Sequence, residues 1–552
     1  MKTYEQVARL LAAAGVTTVF GVMGDGNMHW LAAYREQPGC RWRPAWHEAG
    51  AVGMADGYAA VTGEVGVATV TMGPGLAQAL GALTVAARVR RPVLLITAEL
   101  GPDTPPQAQE AQQRAWVTAA GARYLRVLTA TDLPAALAAA LASARAGVPT
   151  VLAVAMDVFQ QLTVTALPDV TWAPARARPA PVAQLEAAAR VLASATAPLV
   201  VIGRGVLAGD CVEAVLRLGR RIGAVFGTTV GGRVALPDEE FDLGVLGMMA
   251  SPVARDLAAR ADVVLVLGAA LDRYNSDGGA SGRDARIVRV DVRPASQLWS
   301  PSGRTTWVTG DVAEVVPALT ARVGEATGLR TTPVRAAIAA ERARQGALCT
   351  PHPRDGANPW AMVATLDAEL PGDAHVVVGI GHFWYFVAPQ LRPVPNRTFH
   401  YACGFALIGQ ALPVAVGAAV ALGRRRRVVA IEGDGSLAMN IQELQAAVRH
   451  GVDVLLVVMN NRAYGSEYHK LALADLDTAG SEFDAVPFDV VAVAEAMGAT
   501  ARRAEDPARL RSAVRELLPR GGVRVIDAAV SRSTMSEVYQ RQHGHQSNDK
   551  SH

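Results

Sequence analysis

The densest set of groups able to do chemistry lies in VVAIEGDGSLAMNIQELQAAVRHGVDVLLVVMNNRAYG, residues 428 to 465. The glycines of Gly433-Asp434-Gly435-Ser436 carry no side-chain bulk, so backbone amides there can come close to a ligand. Asp434 follows an apolar run ending at Ile431, and Asn460 and Asn461 follow a second run, Val452 to Met459. If the runs are neighbouring parallel strands, Asp434 and Asn461 meet at the sheet edge where open α/β folds bind ligands. One carboxylate, one amide and a backbone carbonyl are too weak and too oxygen-rich for a transition-metal cage. They suit Mg²⁺ or Ca²⁺ completed by water and by phosphate oxygens. Between the runs the spacing predicts a helix capped by Asn440, with Glu443 completing an N-x-x-E capping box and Gly451 closing it. GDG and NN are each common turn signals, and it is their joint placement on strand, helix and strand that points to a site.

A second carboxylate, Glu48, opens the apolar, Ala- and Gly-rich stretch EAGAVGMADGYAAVTG. The helix dipole favours an acid in a first turn, yet few polar partners surround this one in the sequence. Gly73-Pro74-Gly75 stands between a strand-like run and a helical stretch, the place of a tight turn.

The elements that must position these groups follow one grammar: a short apolar run, a glycine-bearing break, helical periodicity, then another apolar run. Runs at Thr17 to Val22, Val65 to Met72, Pro92 to Thr97 and Thr150 to Ala155 are apolar on both faces, as strands of a covered parallel sheet must be. A Pro-rich stretch from Leu167 to Pro181 reads as a linker. Further runs lie at Pro198 to Ile202, Asp262 to Leu267 and Arg286 to Val290, then at His375 to Val378, Arg427 to Ile431, Val452 to Met459 and Val523 to Asp527. The expected fold is α/β, three consecutive doubly wound parallel-sheet domains over residues 1–166, 182–330 and 356–532. A polar, mobile tail is expected over 533–552.

Composition narrows the function classes. At about 150 residues per domain, 552 residues make three or four domains, too many for a lone binding module. A net charge of +3, from 53 basic and 50 acidic residues, gives no support to nucleic acid or an anionic membrane as partner. Four scattered cysteines form no CxxC, and no run is long enough to span a bilayer. The Arg424 to Arg427 run reads as a solvated turn entering a strand. A cytoplasmic location is expected.

The GDG and NN motifs resemble the metal motif of the thiamine diphosphate (ThDP) dependent enzymes of the acetolactate synthase and pyruvate decarboxylase group, and the resemblance runs over almost the whole chain. It implies Asp434, Asn461 and the Ala463 carbonyl as ligands of Mg²⁺, with Gly433, Gly435, Ser436, Tyr464 and Gly465 around the cofactor diphosphate. The A-x-G-Y-A ending at Ala59 resembles the segment of the activating glutamate, which implies that Glu48 hydrogen-bonds the aminopyrimidine and promotes loss of the thiazolium proton. Gly73, Pro74 and Gly75 match a loop beside the pyrimidine, Ile408 the aliphatic residue that bends the cofactor, and His382 a position that touches the diphosphate. Such enzymes are homodimers or homotetramers with each active site built across two chains. They decarboxylate a 2-oxo acid, then pass the acyl-anion equivalent to a carbonyl acceptor or release it as an aldehyde.

Between these outcomes the residues divide. Asp25 and Glu467 stand where decarboxylases keep acids, but the paired histidines of those enzymes are missing. Two carboxyls near one reacting centre cannot both ionise cheaply, so one would hold a proton. Gln109 and Glu110 match a Gln-Glu pair of the synthases, although Ala108 replaces a phenylalanine and Met23 a proline. The reading favours carboligation, with aldehyde release as the alternative. GRGV at 203–206 and LGMMASP at 246–252 resemble the FAD-binding domain of anabolic acetolactate synthases, but GAALDRYNSDGG replaces its arginine-bearing segment, which weighs against FAD. Two rivals fit less well: GRGVLAG is a poor dinucleotide fingerprint in the wrong segment, and an inactive regulator would have lost Glu48 or the metal ligands.

Overall fold

The computed structural model describes residues 1–102, 104–163, 179–293, 303–402, 404–486 and 488–544. It contains three six-stranded sheets, each drawn from one contiguous stretch of chain, and every strand pair in them is parallel. The first holds β1 (Thr18–Gly21), β2 (Arg41–Pro44), β3 (Gly66–Thr69), β4 (Val93–Glu99), β5 (Arg123–Val127) and β6 (Thr150–Ala155) in the order β2-β1-β3-β4-β6-β5. The second holds β7 (Pro198–Ile202), β8 (Val225–Thr228), β9 (Asp242–Val245), β10 (Val263–Leu267), β11 (Arg286–Asp291) and β12 (Thr305–Thr309), ordered β12-β11-β10-β7-β8-β9. The third holds β13 (His375–Val378), β14 (Thr398–Tyr401), β15 (Val428–Gly433), β16 (Val454–Asn460), β17 (Thr500–Ala504) and β18 (Val523–Ala529), ordered β14-β13-β15-β16-β18-β17.

The first and third sheets therefore share one topology. In both, strand order reverses between the first and third strands, and in open α/β sheets that switch point is where ligands bind. The segments that follow β1 and β3 carry Asp25 and Gly73-Pro74-Gly75, and those that follow β13 and β15 carry His382 and Asp434. The topology thus brings the candidate groups of each domain to one crevice.

Seven helices matter for the site: α1 (Glu48–Thr62), α2 (Pro74–Arg88), α3 (Ala411–Leu422), α4 (Asp434–Met439), α5 (Glu443–His450), α6 (Gly465–Leu473) and α7 (Glu537–His543). Helices α1 and α3 join the first and third domains, and one apolar core runs through both, from Phe20 and Ala51 to Leu412 and Val458. A Cβ on Gly57 would run into the Val414 carbonyl, and one on Gly417 into the Met54 carbonyl, so the crossing is backbone against backbone. Only glycine permits that approach.

The sequence reading needs three corrections. It passed over both edge strands of every sheet, β2, β5, β9, β12, β14 and β17, and the inner strand β8. Edge strands such as Arg41–Pro44 and Thr500–Ala504 are partly exposed and lack the continuous apolar run, and the run in β8 is broken by Gly227. Residues 533–544 are no tail: α7 is docked, with Tyr539 1% exposed and the Arg541 and Gln542 side chains donating to the Met248 carbonyl at 2.9 and 3.0 Å. Asn440 and Glu443 form no capping box, because α4 ends at Met439 and α5 starts afresh at Glu443 without a side-chain cap. Residues 167–178 of the linker expected over Leu167 to Pro181, and the end of the chain, 545–552, lie outside the described residues.

Candidate active site

Strand β15 ends at Gly433, and Asp434 begins α4 at once. Asp434 is 3% exposed, and the backbone N–H groups of Gly435 and Asn461 face its carboxylate. Burial pushes this carboxyl up to about 7, and no ion pair relieves it among the described residues. Asn461 follows β16, the neighbour of β15, and its Oδ1 accepts the Ala463 N–H at 3.2 Å. Asp434 and Asn461 therefore converge as the spacing predicts. Among the described residues no three His, Cys, Asp or Glu side chains gather where they could hold a metal ion. A buried carboxylate with no ion pair among the described residues, beside the Asn461 amide, fits a hard cation that brings its own oxygen ligands.

Gly433, Asp434, Gly435, Ser436, Asn461 and Ala463 line one cavity of about 1750 Å³, and Tyr464, Gly465, Glu467, His382 and Ile408 line it too. A Cβ on Gly435 would meet the Tyr464 ring at 2.9 Å, and one on Gly465 would meet Asn461 Nδ2 at 2.6 Å. His382 is packed against Phe386, Tyr539 and His469, with ring centroids 5.1, 4.9 and 4.2 Å away, and its Nε2 is buried without a partner. Burial holds its imidazole neutral, so Nε2 can serve a ligand by a hydrogen bond and not by charge.

The Ser436 hydroxyl donates to Glu432 Oε1 at 2.6 Å and accepts the Gly409 N–H at 2.7 Å, so both bonds of this hydroxyl stay within the protein. Glu467 is largely exposed and lies 3.8 Å from Lys470.

Asp25, Glu48, Gly73, Pro74, Gly75 and Gln109 form a separate group on the first sheet and line no part of that cavity. Glu48 is half-buried, without a hydrogen bond or ion pair among the described residues, and its Oε1 is 3.5 Å from where a Cβ on Gly75 would stand. Gly73 has φ +63 and presses on the Gln109 carbonyl, while its N–H is held by Gln113 Oε1 at 2.7 Å. The sequence reading missed Gln113, which is buried and also donates to the Ala98 carbonyl at 2.9 Å. Asp25 is exposed and lines no part of the cavity that Glu467 lines.

Family models agree with this division into three. Residues 1–120 match the thiamine pyrophosphate enzyme N-terminal TPP binding domain, 185–319 the central domain and 379–528 the C-terminal TPP binding domain. A probable 2-ketoarginine decarboxylase of Pseudomonas aeruginosa is 30% identical over 95% of this chain and 93% of its own length. The chain belongs to the thiamine pyrophosphate enzymes.

Two other relatives of this thiamine pyrophosphate enzyme carry different names. A sulfoacetaldehyde acetyltransferase of Castellaniella defragrans is 29% identical, over 85% of this chain and 82% of the relative. An acetolactate synthase of Mycobacterium bovis is 28% identical, over 91% and 83%. The cofactor these domains bind, thiamine pyrophosphate, is ThDP.

The enzyme holds a further acid that sequence reading took for a capping residue. Glu443 is fully buried and accepts the backbone N–H groups of His47 at 2.8 Å and Trp46 at 3.1 Å, fixing the chain that leads into Glu48. Burial is the main cause that pushes its carboxyl from 4.5 up to about 7, and the Glu48 charge adds to it. The folded enzyme thus keeps a proton that the unfolded chain gives up above about 4.5. Wild type should lose stability relative to Glu443→Gln as pH rises from about 4.5 to about 7, by at most about 3 kcal/mol, with a constant difference above. Thermal melts of both proteins across that range check it, and parallel curves would remove Glu443 from the account.

Proposed function

We propose that this chain is a ThDP- and Mg²⁺-dependent enzyme that decarboxylates a 2-oxo acid and transfers the resulting acyl group to a carbonyl acceptor. The observation that carries the proposal is Asp434, a buried carboxylate with no ion pair among the described residues, beside Asn461 at the switch point of a ThDP-binding domain. Asp434, Asn461 and the Ala463 carbonyl would hold Mg²⁺, and Gly433, Gly435, Tyr464, Gly465 and His382 would surround the diphosphate. ThDP supplies the electron sink for decarboxylation. Glu48 would hold and return a proton at the pyrimidine, beside Gly73, Pro74 and Gly75. Because the Glu48 group lines no part of the cavity that Asp434 lines, the reading includes a homodimer or homotetramer that joins one chain's first domain to another's third.

Release of an aldehyde is the second reading. It is favoured by the decarboxylase relative, which matches the greatest share of this chain among the three described. Assay of a panel of 2-oxo acids for acyloin and aldehyde decides between them. Substituting Asp25→Asn and Glu467→Gln should each lower turnover at least about tenfold and shift the acyloin to aldehyde ratio if the two work as acid-base groups. Wild-type rates and ratios in both variants would make these acids bystanders, as the exposure of Glu467 and its pairing with Lys470 would then explain.

A further inference from the structure

Ile408 lines the cavity from a segment with few internal supports. Gly404, Phe405 and Ala406 are exposed, and Ala406 takes a left-handed backbone at φ 56. On the near side Leu407 rests on helix α2, 3.2 Å from where a Cβ on Gly81 would lie. Directly after Ile408 the picture changes. The Gly409 N–H donates to Ser436 Oγ at 2.7 Å, and the Gly409 carbonyl accepts Asn440 Nδ2 at 2.9 Å. Ser436 is itself fixed by its 2.6 Å bond to Glu432, whose other oxygen accepts the Leu412 N–H at 3.1 Å. Ser436, Asn440 and Glu432 are all nine-tenths or more buried. Both peptide planes that flank Gly409 are therefore held, and the first of them is the plane that sets the direction of Ile408. Gly409 has φ +85, and a Cβ there would meet Met439 Cβ at 2.7 Å, so the clamp needs glycine at this position.

We infer that Asn440 and Ser436 are positioning residues that set Ile408 against the bound cofactor by clamping both peptides of Gly409. The inference rests on the proposed ThDP site and extends it to two side chains that act through Gly409. An amide at position 440 works here as a donor, which Asp cannot imitate when ionised, although its shape is the same.

The test is a mutant cycle on ThDP binding, read by titration calorimetry at saturating Mg²⁺, beside hydrogen exchange of the cofactor-free protein. Asn440→Asp and Asn440→Ala should each raise the ThDP dissociation constant about tenfold, the low end of the loss typical of an outer-layer partner of a bound group. Ile408→Ala should do the same, and the Ile408→Ala, Asn440→Ala double variant should be no worse than the weaker-binding single variant, because both remove one effect. Without cofactor, Asn440→Asp should speed amide exchange over residues 404–410 while Ile408→Ala leaves the Gly409 amide protected. Additive losses in the cycle, or exchange over 404–410 unchanged in Asn440→Asp, would overturn the clamp and leave the proposed function standing. Should Asn440→Ala not fold, Asn440→Asp and Ser436→Ala complete the same cycle. A wild-type protein that takes up no ThDP overturns the proposed function itself, an outcome the exchange arm separates from failure of the clamp.

Discussion

Asp434→Ala is expected to fold normally and to lose ThDP and Mg²⁺ binding by at least about a hundredfold, beyond the tenfold to hundredfold typical of outer-layer partners. Asp527, whose charge reaches Asp434, is already committed, accepting Asn460 Nδ2 at 2.8 Å and Arg503 Nε at 3.0 Å. The same substitution should not destabilise the cofactor-free protein at neutral pH. Burial pushes the Asp434 carboxyl from 3.8 up to about 7, so in the absence of a cation its charge opposes folding at every pH above about 4. A loss of binding with a melting temperature at or above wild type is thus the signature of a ligand and not of a core residue. Calorimetric titration with ThDP and Mg²⁺, beside melts of the cofactor-free proteins, gives both numbers. Undiminished cofactor retention in Asp434→Ala would end the metal assignment.

Glu48→Gln should bind ThDP and yet slow exchange of the thiazolium proton by at least about a hundredfold, the scale of a positioned proton-transfer group. Glutamine keeps the shape of the side chain that opens α1 but can neither give nor take the proton. Rapid-quench proton exchange followed by NMR measures the step directly, and an unchanged rate would remove Glu48 from the proposed mechanism. The two variants also test how the halves combine. If each site joins two chains, mixed Asp434→Ala and Glu48→Gln protomers form hybrids with one intact site of two. Random mixing then restores about a quarter of wild-type activity from two inactive proteins. A mixture as inactive as its parents would place both groups in one chain's site.

How much of this was legible depended on how far apart in the sequence the partners stand. The inner strands announced themselves, β8 apart, because burial on both faces demands an unbroken apolar run, whereas Arg41–Pro44 and Thr500–Ala504 had no such requirement. The meeting of Asp434 and Asn461 was legible because only two short helices and one strand separate them. Glu443 was not, for the amides it accepts lie 396 and 397 residues earlier. Asn440 looked like a cap from its neighbours alone, while its actual partner is the Gly409 carbonyl, 31 residues away. Gln113 stands 40 residues from the Gly73 amide it holds. For Asn440 and Glu443 local grammar proposed a local use, for Gln113 it proposed none, and in all three a distant backbone atom claimed the group.

The crossing of α1 on α3 has a mechanical corollary. Gly57 touches α3 roughly two and a half turns from Glu48, an arm of about 13 Å at 1.5 Å per residue. At that arm a tilt of about 4° displaces the carboxylate by about 1 Å, an error able to cost a hundredfold in rate. A crossing cushioned by long side chains can rock through such an angle as rotamers adjust. Here carbonyl oxygens lie against glycine Cα atoms at Gly57 and Gly417, and there is no compliant layer between the helices. The glycines act as a bearing with little play, and the angular tolerance of the acid is set there, far from any reacting atom.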